Sequence, residues 1–236
     1  LTRTSPETTL FARLRSACAA EWEAYTAHPF VGGLAGGNLP EACFRHYLIQ
    51  DYLFLIHFAR AYGLAAFKAD SLDDIRAAAA GLAAMVDQEM NLHLAYCAEW
   101  GLGETEMAAA PEAGATMAYT RYVLERGLAG DLLDLQVALA PCIVGYAEIG
   151  RALADDPATL IDGNPYRAWI EMYASADYQA VANAHVAHLD RLMDRRGGPG
   201  RFGTLATTFR QATRLEAAFW EMALHPPAPS AEFSPK

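Results

Sequence analysis

The sequence contains no stretch in which apolar and polar residues alternate long enough to form a strand. That absence argues against folds built on a sheet. It contains no CxxC pair: its four cysteines stand apart at positions 18, 43, 97 and 142. They read as reduced thiols of a cytoplasmic protein, not as a disulfide framework or a zinc site. Positive charge is short, with 18 Lys and Arg against 28 Asp and Glu and a formal net charge of −10. An acidic chain repels a phosphate backbone, so no nucleic-acid partner is expected. Long apolar runs are also missing. The longest uncharged apolar stretch near the middle, Val137 to Ala147, is short of the roughly 18 residues that a membrane span needs, so no membrane partner is expected. The N-terminal residues include Glu7 and lack a basic-then-apolar pattern, which gives no sign of a targeting segment.

What is present is apolar, small and helix-forming. Apolar residues make up 53% of the 236 positions and charged residues 19%, enough to build a sizeable core. There are 48 alanines, the best helix former and a residue that lets helices pack closely. Helix signals recur along the chain. Ser5-Pro6-Glu7 opens a helix to about Tyr25, and Pro40 opens a second to about Phe67. Ser71 caps a third to about Trp100, where Gly101 stops it. Pro111 opens a fourth to about Arg126, and Asp131 caps a fifth ending near Asp155. Three more cover roughly Pro165 to Ala174, Asp177 to Arg195, and the segment after Gly197-Gly198-Pro199-Gly200 to about Leu224. The glycine-rich segment from His28 to Pro40 reads as a flexible loop. It lacks the Gly-Lys-Ser/Thr ending and preceding strand of a phosphate cradle. The expectation is an all-α, single-domain compact helical bundle of about eight helices over residues 1–225, with a flexible Pro-rich tail over 226–236.

Three apolar stripes carry a polar group. In the second helix Tyr47, Asp51, Phe54 and Phe58 share one face, so Asp51 is either bonded to a tyrosine or a neighbouring helix end, or faces a ligand. In the fifth, Leu135, Leu139, Cys142, Tyr146 and Ile149 form a stripe. Cys142 there is either a space-filling core thiol or a nucleophile, beside a kink made by Pro141. In the eighth, Phe209, Ala212, Glu216, Phe219 and Ala223 align. Glu216 is either a buried acid with a raised pKa, suited to proton transfer, or a rim residue paired with a surface cation such as Arg214. Tyr119, Tyr146 and Tyr173 lie on three separate helices, each with a hydroxyl that needs a partner. Cys18, Cys43 and Cys97 read as packing or surface thiols. Glu89 and His93 are one turn apart, as are His185 and His188. The first pair is one residue too long for the Glu-x-x-His of di-metal bundles and has no second copy, so no metal is expected.

If the helices carrying Asp51, Cys142 and Glu216 meet, an acid, a thiol, a second acid and several aromatics would suit a flat, nitrogen-rich heterocycle. The chain resembles the thiaminase II family, also called TenA, along nearly its whole length. The resemblance rests on His28-Pro29-Phe30-Val31 followed by Leu39-Pro40, on the segment Phe44 to Phe58 with its Gln50-Asp51, and on Pro141-Cys142 with Tyr146. It extends to Trp169-Ile170 with Tyr173, and to Glu216 followed by Phe219-Trp220 and Met222-Ala223. It implies a heme-oxygenase-like α-bundle, usually a homotetramer, and hydrolysis of 4-amino-5-aminomethyl-2-methylpyrimidine to the hydroxymethyl pyrimidine and ammonia, with no cofactor. Many members also cleave thiamin. By this likeness Cys142 matches the nucleophile and Glu216 the acid/base. Asp51 matches the carboxylate that reads the pyrimidine's ring nitrogen and 4-amino group, and Tyr119, Tyr146 and Tyr173 match pocket tyrosines. Where some members carry a further pocket tyrosine, this chain has Phe54. The competing expectations are a di-metal or other oxidase on the same bundle, and a pyrimidine-binding regulator without turnover.

Overall fold

The computed structural model describes residues 9–227. Among them the chain forms twelve α-helices and one π turn, with no strand, so the fold is all-α as expected. The proposed helix start at Ser5-Pro6-Glu7 and most of the Pro-rich tail lie outside the described residues.

The first predicted helix is two: α1 (Leu10–Ala17), capped by the Thr9 side chain, and α2 (Ala19–Thr26), divided at Cys18, whose backbone leaves the helical region. The glycine-rich segment is not the loop expected. Pro29–Ala35 forms α3: the His28 side chain accepts from the Phe30 amide, Pro29 occupies the first turn, and Phe30, Val31 and Leu34 are buried. Phe30 stacks on Trp220 with ring centroids 4.6 Å apart. This burial outweighs the roughly 1 kcal/mol that each of Gly32 and Gly33 costs a helix. Within this segment only Gly37, with φ +63, turns through the left-handed region that favours glycine.

Helix α4 (Glu41–Lys68) follows Pro40 as expected. The third predicted helix is interrupted. It consists of α5 (Leu72–Ala84), capped by Ser71, a π turn (Met85–Glu89), and α6 (Met90–Glu99). A short α7 (Glu104–Ala108) was not anticipated. Helix α8 (Gly114–Ala129) starts three residues later than Pro111 suggests. The reason is Gln50: its amide donates to the Pro111 carbonyl (3.0 Å), and its oxygen accepts from the Ala113 amide (2.9 Å) and the Thr116 hydroxyl (2.7 Å), holding this segment out of the helix.

Helix α9 (Leu132–Asp155) is capped by Asp131 and runs unbroken through Pro141. It packs against α8, α10 (Arg167–Ala174), α11 (Ala176–Arg196) and α12 (Arg201–Leu224) and is the central helix of the bundle. Its length and hydropathy would suit a membrane crossing, yet 89% of its most apolar window is buried inside the fold. Gly150 sets one of these contacts: a Cβ there would lie 2.6 Å from the Tyr173 backbone carbonyl carbon, so only glycine lets α10 come this close.

Candidate active site

The three stripes meet. Tyr47, Asp51, Phe54 and Phe58 of α4, Cys142 and Tyr146 of α9, Tyr119 of α8, Tyr173 of α10, and Glu216 and Phe219 of α12 are all buried in one interior region. Asp51 accepts a hydrogen bond from the Tyr47 hydroxyl (2.9 Å) and faces His93 Nε2 at 2.6 Å. The Tyr47 oxygen in turn accepts from the Trp169 indole N–H (3.1 Å). On the other side of the thiol, the Tyr119 hydroxyl donates to Glu216 (2.7 Å), and the Cys142 thiol faces the same carboxyl.

The His93 ring is fixed at both ends. A carbonyl can only accept, so the 2.7 Å contact from Nδ1 to the Glu89 carbonyl puts a proton on Nδ1. Burial pulls the His93 pKa down, but the Asp51 carboxylate and the Glu89 backbone carbonyl outweigh it and the net shift is upward. His93 and Asp51 therefore form a buried, hydrogen-bonded pair in surroundings that favour the protonated imidazole. Breaking such a pair by removing one partner costs about 3–5 kcal/mol.

The remaining acids are pushed the other way. Burial, reinforced by Asp51, raises Glu216 to about 8 against the hydrogen bonds from Tyr119 and Cys142. Burial and Asp51 raise Glu89 to about 7, while His93 and a hydrogen bond from Tyr178 hold it down. Burial and the carboxylates of Glu216, Glu89 and Asp51 hold the Cys142 thiol well above its usual value. The thiol is therefore neutral at rest, and a nucleophilic role would require an acceptor for its proton, a place that the facing Glu216 carboxyl could fill.

Aromatic rings form the rest of the enclosure. Phe54 lies against Tyr119 (centroids 5.0 Å apart) and Phe219 (5.7 Å), giving a stacking face without a hydroxyl. Tyr146 and Tyr173 stand 4.8 Å apart, and Trp169 packs on Tyr173 at 4.5 Å. Such a set can hold a flat ring between aromatic faces while Asp51 accepts from its polar edge.

Of the alternatives open in the sequence, Asp51 does bond a tyrosine, as the plainer possibility held. Glu216 is no rim residue: it is 2% exposed, and Arg214 pairs with Glu21 instead. Cys18, Cys43 and Cys97 are buried packing residues. His93 and His185 bond to carbonyls, the latter to that of Gln136 at 3.1 Å. Sequence reasoning missed His93 as the partner of Asp51, Trp169 as the support of Tyr47, and Glu89 as a third acid beside the thiol. The one available signal, Glu89 and His93 a turn apart, pointed to a metal pair instead. Among the described residues no three His, Cys, Asp or Glu side chains are grouped to hold a metal ion.

Residues 15–225 match the TENA/THI-4/PQQC family. The aminopyrimidine aminohydrolase of Halalkalibacterium halodurans is 37% identical over 202 residues, covering 86% of this chain and 89% of that protein. The aminopyrimidine aminohydrolase of Helicobacter pylori is 31% identical over 202 residues, covering 86% and 92%. The crystal structure of a TenA family transcription regulator from Silicibacter sp. TM1040 superposes with a TM-score of 0.88 at 43% identity, covering 94% of this chain and 99% of that one. The bundle is accordingly the all-α, heme-oxygenase-like fold, and the chain belongs to the TENA/THI-4/PQQC family.

Proposed function

We propose that the chain is an aminopyrimidine aminohydrolase of thiamin salvage, converting 4-amino-5-aminomethyl-2-methylpyrimidine and water to 4-amino-5-hydroxymethyl-2-methylpyrimidine and ammonia. Two relatives carry that activity in their names. The observation that carries the reading is the burial of one thiol in the same interior as the Asp51 and Glu216 carboxyls.

In this reading Asp51, held by Tyr47 and His93, accepts from the 4-amino N–H and from the adjacent ring nitrogen in its protonated form. Phe54, Tyr119, Tyr146 and Tyr173 wall the ring. Cys142 is the nucleophile. Its sulfur bonds to the ring carbon beside a ring nitrogen as its proton moves to Glu216. Glu216 passes a proton to the amine, and the carbon–nitrogen bond breaks with its electron pair leaving as ammonia. The exocyclic methylene so formed takes up water. The sulfur then leaves with its bonding pair, aromaticity returns, and the proton from water is restored to the thiol through Glu216. These residues supply nucleophile, acid and base without a cofactor.

Cleavage of thiamin to pyrimidine and thiazole is the same chemistry with a different leaving group, and we include it as a second activity. The catalytic unit spans residues 1–225 in this reading and the protein is cytoplasmic. Its expected homotetramer is supported by exposed apolar side chains at Phe67 (86% exposed), Leu72 (58%) and Leu128 (69%). The Lys68 ammonium donates to the Gly130 carbonyl (2.7 Å), bringing the ends of α4 and α8 together beneath this surface. Light scattering on the purified protein reads the assembly directly.

The functional test is incubation of the purified chain with the aminomethyl pyrimidine in ¹⁸O-labelled water. Equimolar ammonia and labelled hydroxymethyl pyrimidine are expected. Binding with no turnover of any aminopyrimidine would instead assign a regulatory, pyrimidine-sensing role.

A further inference from the structure

The π turn between α5 and α6 is unexplained by packing alone. A π turn widens the helix by one residue and leaves carbonyls in want of donors, and such turns cluster at functional sites. Here two carbonyls accept from side chains four residues on: Asp87 from Asn91 (2.6 Å) and Glu89 from His93 (2.7 Å). The turn thus achieves two things. It aims the His93 ring at Asp51, and it delivers the Glu89 side chain to the same interior.

Glu89 differs from the other two acids there. Asp51 and Glu216 are almost fully buried, at 4% and 2% exposure, and each accepts a short hydrogen bond from a tyrosine. Glu89 is only half-buried although protein groups surround its carboxyl: Tyr178 of α11 and Asp51, His93 and Cys142 of α4, α6 and α9 face it. The phenols of Tyr62 and Tyr173 complete the surroundings. Of the three acids, Glu89 is the one that keeps partial exposure. Glu89 also influences the Cys142 thiol more strongly than Asp51 does. The proposed mechanism gives Asp51 to the pyrimidine edge and Glu216 to the thiol proton, and leaves Glu89 without a task.

The reaction makes one demand that a single group meets so far. The departing nitrogen becomes positively charged as it is protonated, and only the carboxylate that Glu216 becomes in giving up the proton compensates that charge. We propose that Glu89 forms the leaving-group subsite: its carboxylate accepts a hydrogen bond from the aminomethyl N–H and pairs with the cationic nitrogen as it leaves. This rests on the aminohydrolase reading. The contact makes and breaks no covalent bond. It favours substrates whose methylene bears a nitrogen that is or becomes cationic, an amine or a thiazolium, over the hydroxymethyl product, whose oxygen stays neutral. A carboxyl poised near neutrality is suited to the role, because a bound cation draws out its charge.

The test compares the parent with Glu89→Gln and Glu89→Asp, each first checked for an unchanged helical melt. Its readouts are KM for the aminomethyl pyrimidine and Ki for the hydroxymethyl pyrimidine. Loss of one charge-assisted hydrogen bond predicts a rise of ~10-fold or more in KM for the amine in Glu89→Gln. The Ki of the neutral product stays within about twofold of the parent, and Glu89→Asp recovers part of the loss. Equal weakening of both ligands, or of neither, overturns the proposal. If the parent releases no ammonia, the aminohydrolase reading falls. The ratio of the two dissociation constants, measured by calorimetry on the same three proteins, then decides the role of Glu89 on the same terms.

Discussion

An unperturbed glutamate titrates near 4.5, whereas Glu216, enclosed beside Asp51, is pushed up to about 8. That displacement has a thermodynamic consequence. Below about 4.5 the folded and unfolded chains both hold the proton and the residue is silent. Between that value and about 8 the unfolded chain releases it and the folded chain does not, so stability falls as pH rises through this window. Glu216→Gln removes the titration. It should be nearly as stable as the parent at pH 4 and more stable at pH 8, by on the order of 1–4 kcal/mol. Urea melts at the two pH values measure this, and an offset independent of pH would contradict it. The same substitution should lower kcat far more than it changes KM, because in the proposed mechanism the lost group moves protons and does not grip the ring. A change confined to KM would assign Glu216 to binding. Both arms follow from one cause: the site stores an acid where solvation disfavours its charge, and stability is spent on its function.

At the scale of elements, the contact between α9 and α10 depends on a missing methyl. A Cβ on Gly150 would approach the Tyr173 backbone carbonyl carbon to 2.6 Å and the Ala174 nitrogen to 2.8 Å. Backbone cannot rotate away as a side chain can, so Gly150→Ala must push α10 outward. It should destabilise the fold by about 1–3 kcal/mol and, through displaced Tyr173, raise KM. Thermal unfolding and substrate titration check the two effects, and a variant with parental stability would contradict the packing argument. Helices with strong local signals were legible in the sequence: the Asp131 cap fixed the start of α9, and Ser71 that of α5. What depends on distant partners was not. The α3 helix exists because Phe30 and its neighbours are buried, Phe30 against Trp220 190 positions on, and nothing within Pro29–Ala35 announces that. The late start of α8 is set by Gln50, some sixty residues away. The π turn shifts a register by one residue, which no periodicity within α5 and α6 reveals.

For the molecule as a whole, the apolar stripes were enough to bring Asp51, Cys142 and Glu216 to the interior, because the lone polar residue on each stripe goes inward with its neighbours. Their partners were not legible. That Asp51 meets His93 and that the thiol faces Glu216 depend on how helices far apart in sequence cross. The acidic net charge of −10 and the central placement of apolar α9 fit a small-molecule enzyme whose chemistry lies within the bundle. In the proposed chemistry a single sulfur in that interior does the covalent work. Single-turnover ammonia release from the aminomethyl pyrimidine by the parent and by Cys142→Ala, at pH 8 with ligand binding verified for both, tests it most directly. The account predicts that the variant binds the pyrimidine and releases ammonia at least ~1,000-fold more slowly; release at the parental rate would contradict it.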